Sequence, residues 1–269
     1  MQPITSLSNY QSILEQYSRT GVQTNNFLLA DQVEELLLKG RLYYIIVGNN
    51  LVLLVDRIIS YQVYFHLNDL QTPCTIQADK PLKMEMVYRG EFKRPIALLN
   101  YWEQQGFKTH LTRDNLALVN HQQLAVKALN EDITIKFATT AEEAIYTTTL
   151  FEKDLDTYTG DLKTYEEILA YVKNMQILCA YEGEKLCGAL QFEWKQKVCW
   201  LGHIVVEEGF RGKGIANQMV EKYIEINKQS DQTRYQLWVI KDNKPAVDLY
   251  KRFGFTYAGK STVSMLYLN

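Results

Sequence analysis

The feature that most constrains the fold of this chain is a strand that runs through a glycine-rich turn directly into a helix. The strand ends at Ile204-Val205-Val206, and the turn contains Arg211-Gly212-Lys213-Gly214. Apolar residues then recur at helical spacing from Ile215 to Ile224. Glycines allow a backbone to turn tightly and to approach a ligand closely. The sequence therefore predicts a βα unit with a compact and accessible turn.

This turn has the chemistry of an anion-binding site. The first amides of a helix have no partner within the helix, and the helix dipole makes that end positive. A phosphate or pyrophosphate is the natural ligand there, and Arg211 and Lys213 would add positive charge around it. An ordinary basic βα turn without a ligand has the same composition. The glycines alone do not distinguish the two interpretations.

The turn and a second block further along the chain resemble the GNAT N-acetyltransferase superfamily. Arg211-x-x-Gly214-x-Ala216 matches the acyl-CoA signature R/Q-x-x-G-x-G/A, in which alanine is an accepted variant at the last position. The second block, Asn243-x-x-Ala246-x-x-x-Tyr250-x-x-x-Gly254-Phe255, follows in the expected order. Glu207 stands where many members carry proline at or next to the strand end. The resemblance covers roughly residues 132–269.

The resemblance implies a fold and a reaction. The fold would be α/β, with a mixed, mostly antiparallel sheet flanked by helices. The reaction would be direct transfer of an acetyl group from acetyl-CoA, the co-substrate, to a primary amine without a metal. The acceptor would be a small molecule, an amino acid or a peptide. The implied acetyl-CoA-binding residues are Ile204, Val205, Val206, Arg211, Gly212, Lys213, Gly214, Ile215, Ala216, Asn243 and Ala246.

Tyr250 occupies the position that the resemblance gives to the general acid. Its phenol, with an ordinary pKa of about 10, would protonate the departing CoA thiolate. The alternative is an amphipathic core tyrosine. Asn243 would contact the cofactor, cap its helix, or do both.

The general base is the least constrained part of the predicted site. Glu193, at the end of a strand, is the candidate if it is partly desolvated. His203 has a suitable pKa range, but strand parity places it on the face opposite Ile204. Glu207 and Glu208 flank the turn and are expected to be solvated. A chain of water molecules is a further route for the proton.

The first half of the chain is predicted to be a degenerate copy of the second. Its ending, Tyr101-Trp102 followed by Gly106-Phe107, parallels Tyr250 and Gly254-Phe255. The stretch between Leu67 and Leu82 lacks the phosphate motif and is too short for the long helix. We therefore predict a non-catalytic, GNAT-like or substrate-supporting domain over residues 1–130 and a catalytic domain over residues 131–269, a tandem arrangement similar to that of mycothiol synthase. An unrelated α+β domain is the alternative.

Three local predictions concern segments near the ends of the two halves. Residues 107–111 and 116–119 are predicted to form a hairpin that closes the first half. Residues 120–129 are predicted to form a polar helix leading to the domain junction. After Phe255 we predict a closing pair of strands.

Composition limits the possible partners. The chain has 29 Lys and Arg against 31 Asp and Glu, so its net charge of −2 argues against nucleic-acid or anionic-membrane binding. The N-terminus lacks the pattern of a signal peptide, which favours the cytoplasm. The four cysteines lack metal-ligand spacing and are predicted to be buried thiols. A non-catalytic acyl-CoA sensor or an interaction protein is the alternative function, and the sequence specifies no oligomeric state.

Overall fold

The structure is a computed structural model that describes residues 1–90, 93–119, 132–230 and 232–268. The chain forms two compact units, one of Met1–Thr112 with Lys260–Asn269 and one of Arg113–Gly259. None of the helices in these described ranges has both the length and the apolar character needed to cross a bilayer.

Unit 1 is a sheet covered by helices. Its strands are β1 (Gln2–Pro3), β2 (Gln23–Thr24), β3 (Leu42–Val47), β4 (Asn50–Asp56), β5 (Tyr61–Leu67) and β6 (Leu82–Arg89), and its helices are α1 (Leu7–Tyr17), α2 (Ala30–Leu38) and α3 (Ile96–Gln104). The strand order is β1-β3-β4-β5-β6, with β2 paired to β5. Residues 260–267 of the last strand of the chain pair with β6 and complete this sheet.

Helices cover both faces of the unit 1 sheet. Tyr10 of α1 and Val33 of α2 pack in one apolar cluster with Leu51 and Leu53 of β4. Trp102 of α3 packs in a second apolar cluster with Val52 and Leu54, the β4 residues that point to the other face. This explains why β4 is an almost continuous apolar run, because a strand covered on both faces buries every side chain.

Unit 2 repeats this plan with one more helix. Its strands are β8 (Ile133–Phe137), β9 (Ile177–Glu182), β10 (Lys185–Lys195), β11 (Val198–Val206) and β12 (Arg234–Ile240), and its helices are α4 (Ala141–Asp154), α5 (Tyr165–Lys173), α6 (Ile215–Asn227) and α7 (Lys244–Arg252). Residues 113–118 of β7 (Lys108–Leu118) pair with β12. The order is therefore β7-β12-β11-β10-β9-β8.

The two faces of the unit 2 sheet have separate cores. Phe151 of α4 and Ile168 of α5 pack on one face with Val205 of β11. Ile215 of α6 and Tyr250 of α7 pack on the other face. Capping boxes start α4 and α5, because Thr140 and Thr164 each accept from a backbone amide that belongs to a glutamate.

Two of the predicted hairpins are single strands. β7 runs without a break from Lys108 to Leu118. Asn115, which lies between the two predicted strands, is buried and donates to the Leu237 carbonyl at 2.9 Å. β13 (Thr256–Tyr267) is also one continuous strand rather than a pair. Gly259 within it has a left-handed backbone with φ 79°, which glycine adopts without strain. The predicted helix at 120–129 lies outside the described residues.

The compact units differ from the predicted domain ranges because β7 and β13 each belong partly to both units. Residues from the first half of the chain complete the sheet of unit 2, and residues from its C-terminal end complete the sheet of unit 1. The predicted junction near residue 130 itself lies outside the described residues. The division into a catalytic and a non-catalytic half stays a prediction.

The element orders of the two units confirm a tandem arrangement. Both contain two helices, three antiparallel strands, a parallel strand and a helix that ends in a glycine turn. Unit 1 has no counterpart of α6, since residues 68–81, all of them described, contain no helix. The predicted fold class, a mixed and mostly antiparallel α/β sheet flanked by helices, is confirmed.

A β-bulge interrupts the pairing of β10 and β11. Gln191 pairs with His203 and Phe192 with Leu201, so Gly202 is the extra residue. The buried side chain of Gln191 fills the space beside it, and a Cβ on Gly202 would overlap the Gln191 Oε1 atom.

Gly202→Ala should therefore lower the free energy of unfolding by about 1–3 kcal/mol through overpacking. Gln191→Ala in the same chain should recover part of this loss by removing the overlapping amide. Chemical denaturation of the two single variants and the double variant measures the coupling. Strictly additive effects would show that the bulge does not depend on this contact.

Candidate active site

The site is centred on a gap between two parallel strands. β11 and β12 pair from Val198↔Arg234 to Leu201↔Leu237, and the pairing stops there. β11 continues through the bulge to Val206, while β12 continues to Ile240 with β7 as its partner. The edge of residues 202–206 that faces β12 therefore has no strand partner in the described part of the chain. Backbone groups on such an edge need a ligand or water.

The turn after β11 presents a set of free backbone amides. Gly212 and Gly214 have φ values of 84° and 81°, a conformation that glycine adopts without strain. Gly214 caps α6. Among the described residues, the amides from Gly212 to Asn217 have no backbone acceptor. These donors at a helix N-terminus form a nest that suits a phosphate or pyrophosphate.

The two basic side chains of the turn hold the surrounding backbone. Arg211 donates from Nε to the Val206 carbonyl at 2.9 Å and pairs with Asp154 at 2.7 Å. Lys213 pairs with Glu182 at 2.6 Å and lies over the Phe210 ring. Both pairs are exposed, so they are easily exchanged for a bound anion. Arg211 thus ties the end of β11 to the turn as well as supplying positive charge.

The second sequence block forms the start and the core of α7. Asn243 caps this helix, because its Oδ1 accepts from the Ala246 amide at 3.2 Å. Tyr250 is 4% exposed and shares an apolar cluster with Ile204, Val206 and Ile215. Burial raises the pKa of Tyr250, so its phenol stays protonated at neutral pH. The structure therefore places the predicted acid on the same face of the sheet as the predicted phosphate turn.

Glu193 is not brought together with these residues. It lies on β10 opposite Trp200, where β11 is still paired with β12. Its carboxylate forms an ion pair with Lys195 at 2.6 Å. The structure gives no support to Glu193 as the base, because it lies away from the unpaired segment of β11.

His203 lies within the unpaired segment. Its ring packs edge-on against Phe151 at 5.4 Å, on the face of α4 and α5, whereas Ile204 faces α6. Strand parity predicted this placement correctly. Parity could not show which helices cover each face of β11.

The cysteines of the chain are buried free thiols. Burial raises the pKa of Cys187 to about 11 and that of Cys179 and Cys199 to about 12. Thiols with pKa values in this range carry almost no thiolate at neutral pH. None of these three is therefore an activated nucleophile.

Comparisons with known proteins agree with this fold. Residues 142–255 match the family model of the acetyltransferase (GNAT) family. Residues 142–255 therefore form a GNAT-type domain.

Two curated proteins are similar to a short part of the chain. An uncharacterised N-acetyltransferase of Methanocaldococcus jannaschii is 39% identical over 61 residues, which are 23% of this chain and 27% of that protein. The thialysine N-epsilon-acetyltransferase of Sus scrofa is 34% identical over 61 residues, again 23% of this chain and 36% of that protein. The chain thus spans only about a third of the length of these relatives, or less.

Solved structures with the same fold cover more of the chain. A GCN5-related N-acetyltransferase from Sphaerobacter thermophilus has a TM-score of 0.60 at 17% identity, over 81% of this chain and 76% of that one. A tandem GNAT protein from the clavulanic acid biosynthesis pathway has a TM-score of 0.53 at 14% identity, over 81% and 78%. At these identities the likeness concerns the fold, and it extends beyond the family match.

Gly214→Glu should abolish acetyl-CoA binding. A carboxylate about 4 Å from a phosphate is repelled by about 4 kcal/mol at an effective dielectric of ~20, roughly three decades in affinity. Gly40→Glu is the matched control, because Gly40 also has a left-handed backbone, has open space around it and belongs to unit 1. Calorimetric titration with acetyl-CoA compares them, and equal affinities for both variants would remove the turn as the phosphate site.

Proposed function

We propose that unit 2 transfers the acetyl group of acetyl-CoA directly to a primary amine. The observation that supports this most strongly is the combination of an unpaired edge on residues 202–206 with the free amides of residues 212–217. The edge offers backbone hydrogen bonds to an extended amide-containing chain such as pantetheine. The amides offer a cradle for the pyrophosphate, so both parts of the CoA molecule have a suitable surface.

The roles of the individual residues follow from their positions. Ile204, Val205 and Val206 present the open edge, and Gly212 to Ala216 present the amides. Holding two reactants in this way makes the attack effectively intramolecular. A backbone amide of the open segment stabilises the negative charge that develops on the carbonyl oxygen. Tyr250 supplies the proton that the departing thiolate needs.

The buried cysteines favour direct transfer over a covalent acyl-enzyme route. A ping-pong mechanism needs an activated nucleophile in the site. Burial raises the pKa of Cys187 most, and the nearby carboxylates of Glu182 and Glu207 raise it further, so this thiol stays protonated. The acceptor amine itself is therefore the nucleophile in this proposal.

The experiment is an acyl-transfer assay of the purified chain with acetyl-CoA and a panel of amines. The panel contains thialysine, suggested by the name of a relative, together with lysine, spermidine, other amino acids and peptides. Thiol release above the rate of hydrolysis and an acetylated product by mass spectrometry support the proposal. Calorimetric binding of acetyl-CoA without any transfer would favour the alternative of an acyl-CoA sensor. Absence of binding would contradict both.

Tyr250→Phe should lower kcat about 100-fold while the affinity for acetyl-CoA stays nearly the same. The physical reason is that phenylalanine keeps the buried ring but removes the proton donor. Tyr223→Phe is the control, because Tyr223 is also buried in this core and its hydroxyl donates to the Cys199 carbonyl. Full turnover by Tyr250→Phe would exclude Tyr250 as the acid.

We also propose that unit 1 does not bind acyl-CoA, because its own chain fills the equivalent gap. β5 and β6 are parallel and pair only at Tyr61↔Leu82 and Gln62↔Lys83. Beyond that point the short strand β2 takes the edge of β5, with Gln23 opposite Leu67 and Thr24 opposite His66. The segment of residues 23–25 is called the strap.

Asn25 completes the closure of unit 1. Its Nδ2 donates to the carbonyls of Val63 on β5 and Glu85 on β6, both at 3.1 Å, and its Oδ1 accepts from the Phe65 amide at 2.8 Å. The Thr24 hydroxyl donates to the Phe65 carbonyl at 2.6 Å. One buried side chain therefore bridges both strands and uses the backbone groups that remain open in unit 2.

One acetyl-CoA should bind per chain. Calorimetry of the wild-type chain should give a stoichiometry near one, and Gly214→Glu should remove all of it. A second equivalent of binding, or binding of one equivalent that survives in Gly214→Glu, would show that unit 1 holds the cofactor.

A further inference from the structure

The reaction also needs a general base. An amine with the pKa of a lysine side chain is an ammonium ion at neutral pH and must lose a proton before it attacks. The base must lie within hydrogen-bond reach of the amine, directly or through one water molecule. Its position therefore depends on the side from which the amine approaches.

The two faces of β11 are not equivalent for this approach. The proposed phosphate cradle starts α6, and Ile204 and Val206 pack on the α6 face with Tyr250. A thioester held along the open edge of β11 therefore has its CoA part on that face. To reach the carbonyl without displacing the CoA part, the amine would approach from the other face, where α4 and α5 pack and where His203 projects.

The surroundings hold His203 in place. Its ring packs against Phe151 of α4, and the loop between α4 and α5 lies against it through Asp161. Arg113 of β7 fixes this loop by donating to the Thr159 carbonyl at 2.9 Å and to the Thr159 hydroxyl at 2.8 Å. Gly160 allows the loop to fold tightly, since a Cβ there would overlap the Asp156 carbonyl.

Three charged groups face the imidazole. Asp161 raises the pKa of His203, whereas Lys163 and Arg113 lower it, and burial lowers it most. The net pKa of His203 lies below its ordinary value, so the ring is neutral at neutral pH and has a nitrogen that can accept a proton. Asp161 and Lys163 form an ion pair at 2.8 Å, so the charges next to the ring partly cancel.

We propose that His203 is the general base of unit 2, an inference that rests on the proposed acetyl transfer. His203 accepts a proton from the acceptor ammonium, and the free amine forms the new C–N bond at the thioester carbonyl. The C–S bond then breaks while the new amide nitrogen gives its second proton to water. The thiolate takes the phenolic proton of Tyr250, Tyr250 regains a proton from water, and His203 returns its proton to water. One acetyl group moves from sulfur to nitrogen, and one proton is released to solvent in total.

The test is the pH dependence of kcat/KM for thialysine in the wild type and in His203→Gln. We expect the variant to be slower by about 100-fold at neutral pH. The deficit should shrink as the pH approaches the pKa of the amine, because the free amine then forms in solution without a base. Calorimetric affinity for acetyl-CoA should be unchanged. A deficit that is the same at every pH would indicate a structural role and overturn the proposal.

Two further variants sharpen the test. Asp161→Asn should move the acidic limb of the wild-type profile to lower pH, because it removes the carboxylate that raises the pKa of His203. Asn also tolerates the left-handed backbone of this residue, at φ 50°. His110→Gln, on the exposed part of β7, is the control and should leave the profile unchanged. An unmoved acidic limb in Asp161→Asn would contradict His203 as its source.

The failure of this proposal differs from the failure of the proposed function. If the wild type transfers acetyl groups and His203→Gln has the same pH profile, only the assignment of His203 is wrong. If the wild type binds acetyl-CoA and transfers to no amine in the panel, the transfer function is wrong and the assignment of a base is wrong with it.

Discussion

The interaction on which the rest of the structure depends is the incomplete pairing of parallel strands in the middle of each sheet. In unit 2, β11 and β12 separate after Leu201↔Leu237, and in unit 1 β5 and β6 separate after Gln62↔Lys83. Backbone amides and carbonyls rarely remain without a partner in a folded protein. A sheet that opens in this way therefore requires something to occupy the gap.

The two units meet this requirement differently. In unit 1 the strap and the buried amide of Asn25 satisfy the strand edges. In unit 2 the corresponding edge has no strand partner among the described residues, and a glycine turn follows whose amides have no backbone acceptor there. The helix that would carry such amides is missing from unit 1. Both copies of the fold thus contain strand-edge amides and carbonyls that need hydrogen-bond partners. In unit 1 residues of the same unit supply these partners.

Much of the fold could be predicted from the sequence because its signals are local. The predicted strand, turn and helix appear as β11 ending at Val206 and α6 beginning at Ile215, and Asn243 caps α7 as one of its predicted roles. The errors concern β7 and β13, where polar residues or a glycine suggest turns. Asn115 is buried in the sheet because its amide reaches the Leu237 carbonyl, and that partner is far away in the sequence. Local patterns contain no information about such a partner.

The candidate site also depends partly on contacts between segments that are distant in the sequence. The predicted phosphate turn is a continuous motif, so Arg211 to Ala216 could be proposed without a structure. The base depends on which element covers each face of β11, and this is decided by packing between distant segments. Strand parity correctly places the His203 side chain on the face opposite Ile204. Only the structure shows that α6 covers the Ile204 face and that His203 therefore lies on the face of α4 and α5. If the cofactor lies on the α6 face, as proposed, a second substrate meets the opposite face of β11. The two-substrate reaction would then use side chains from both faces of this one strand.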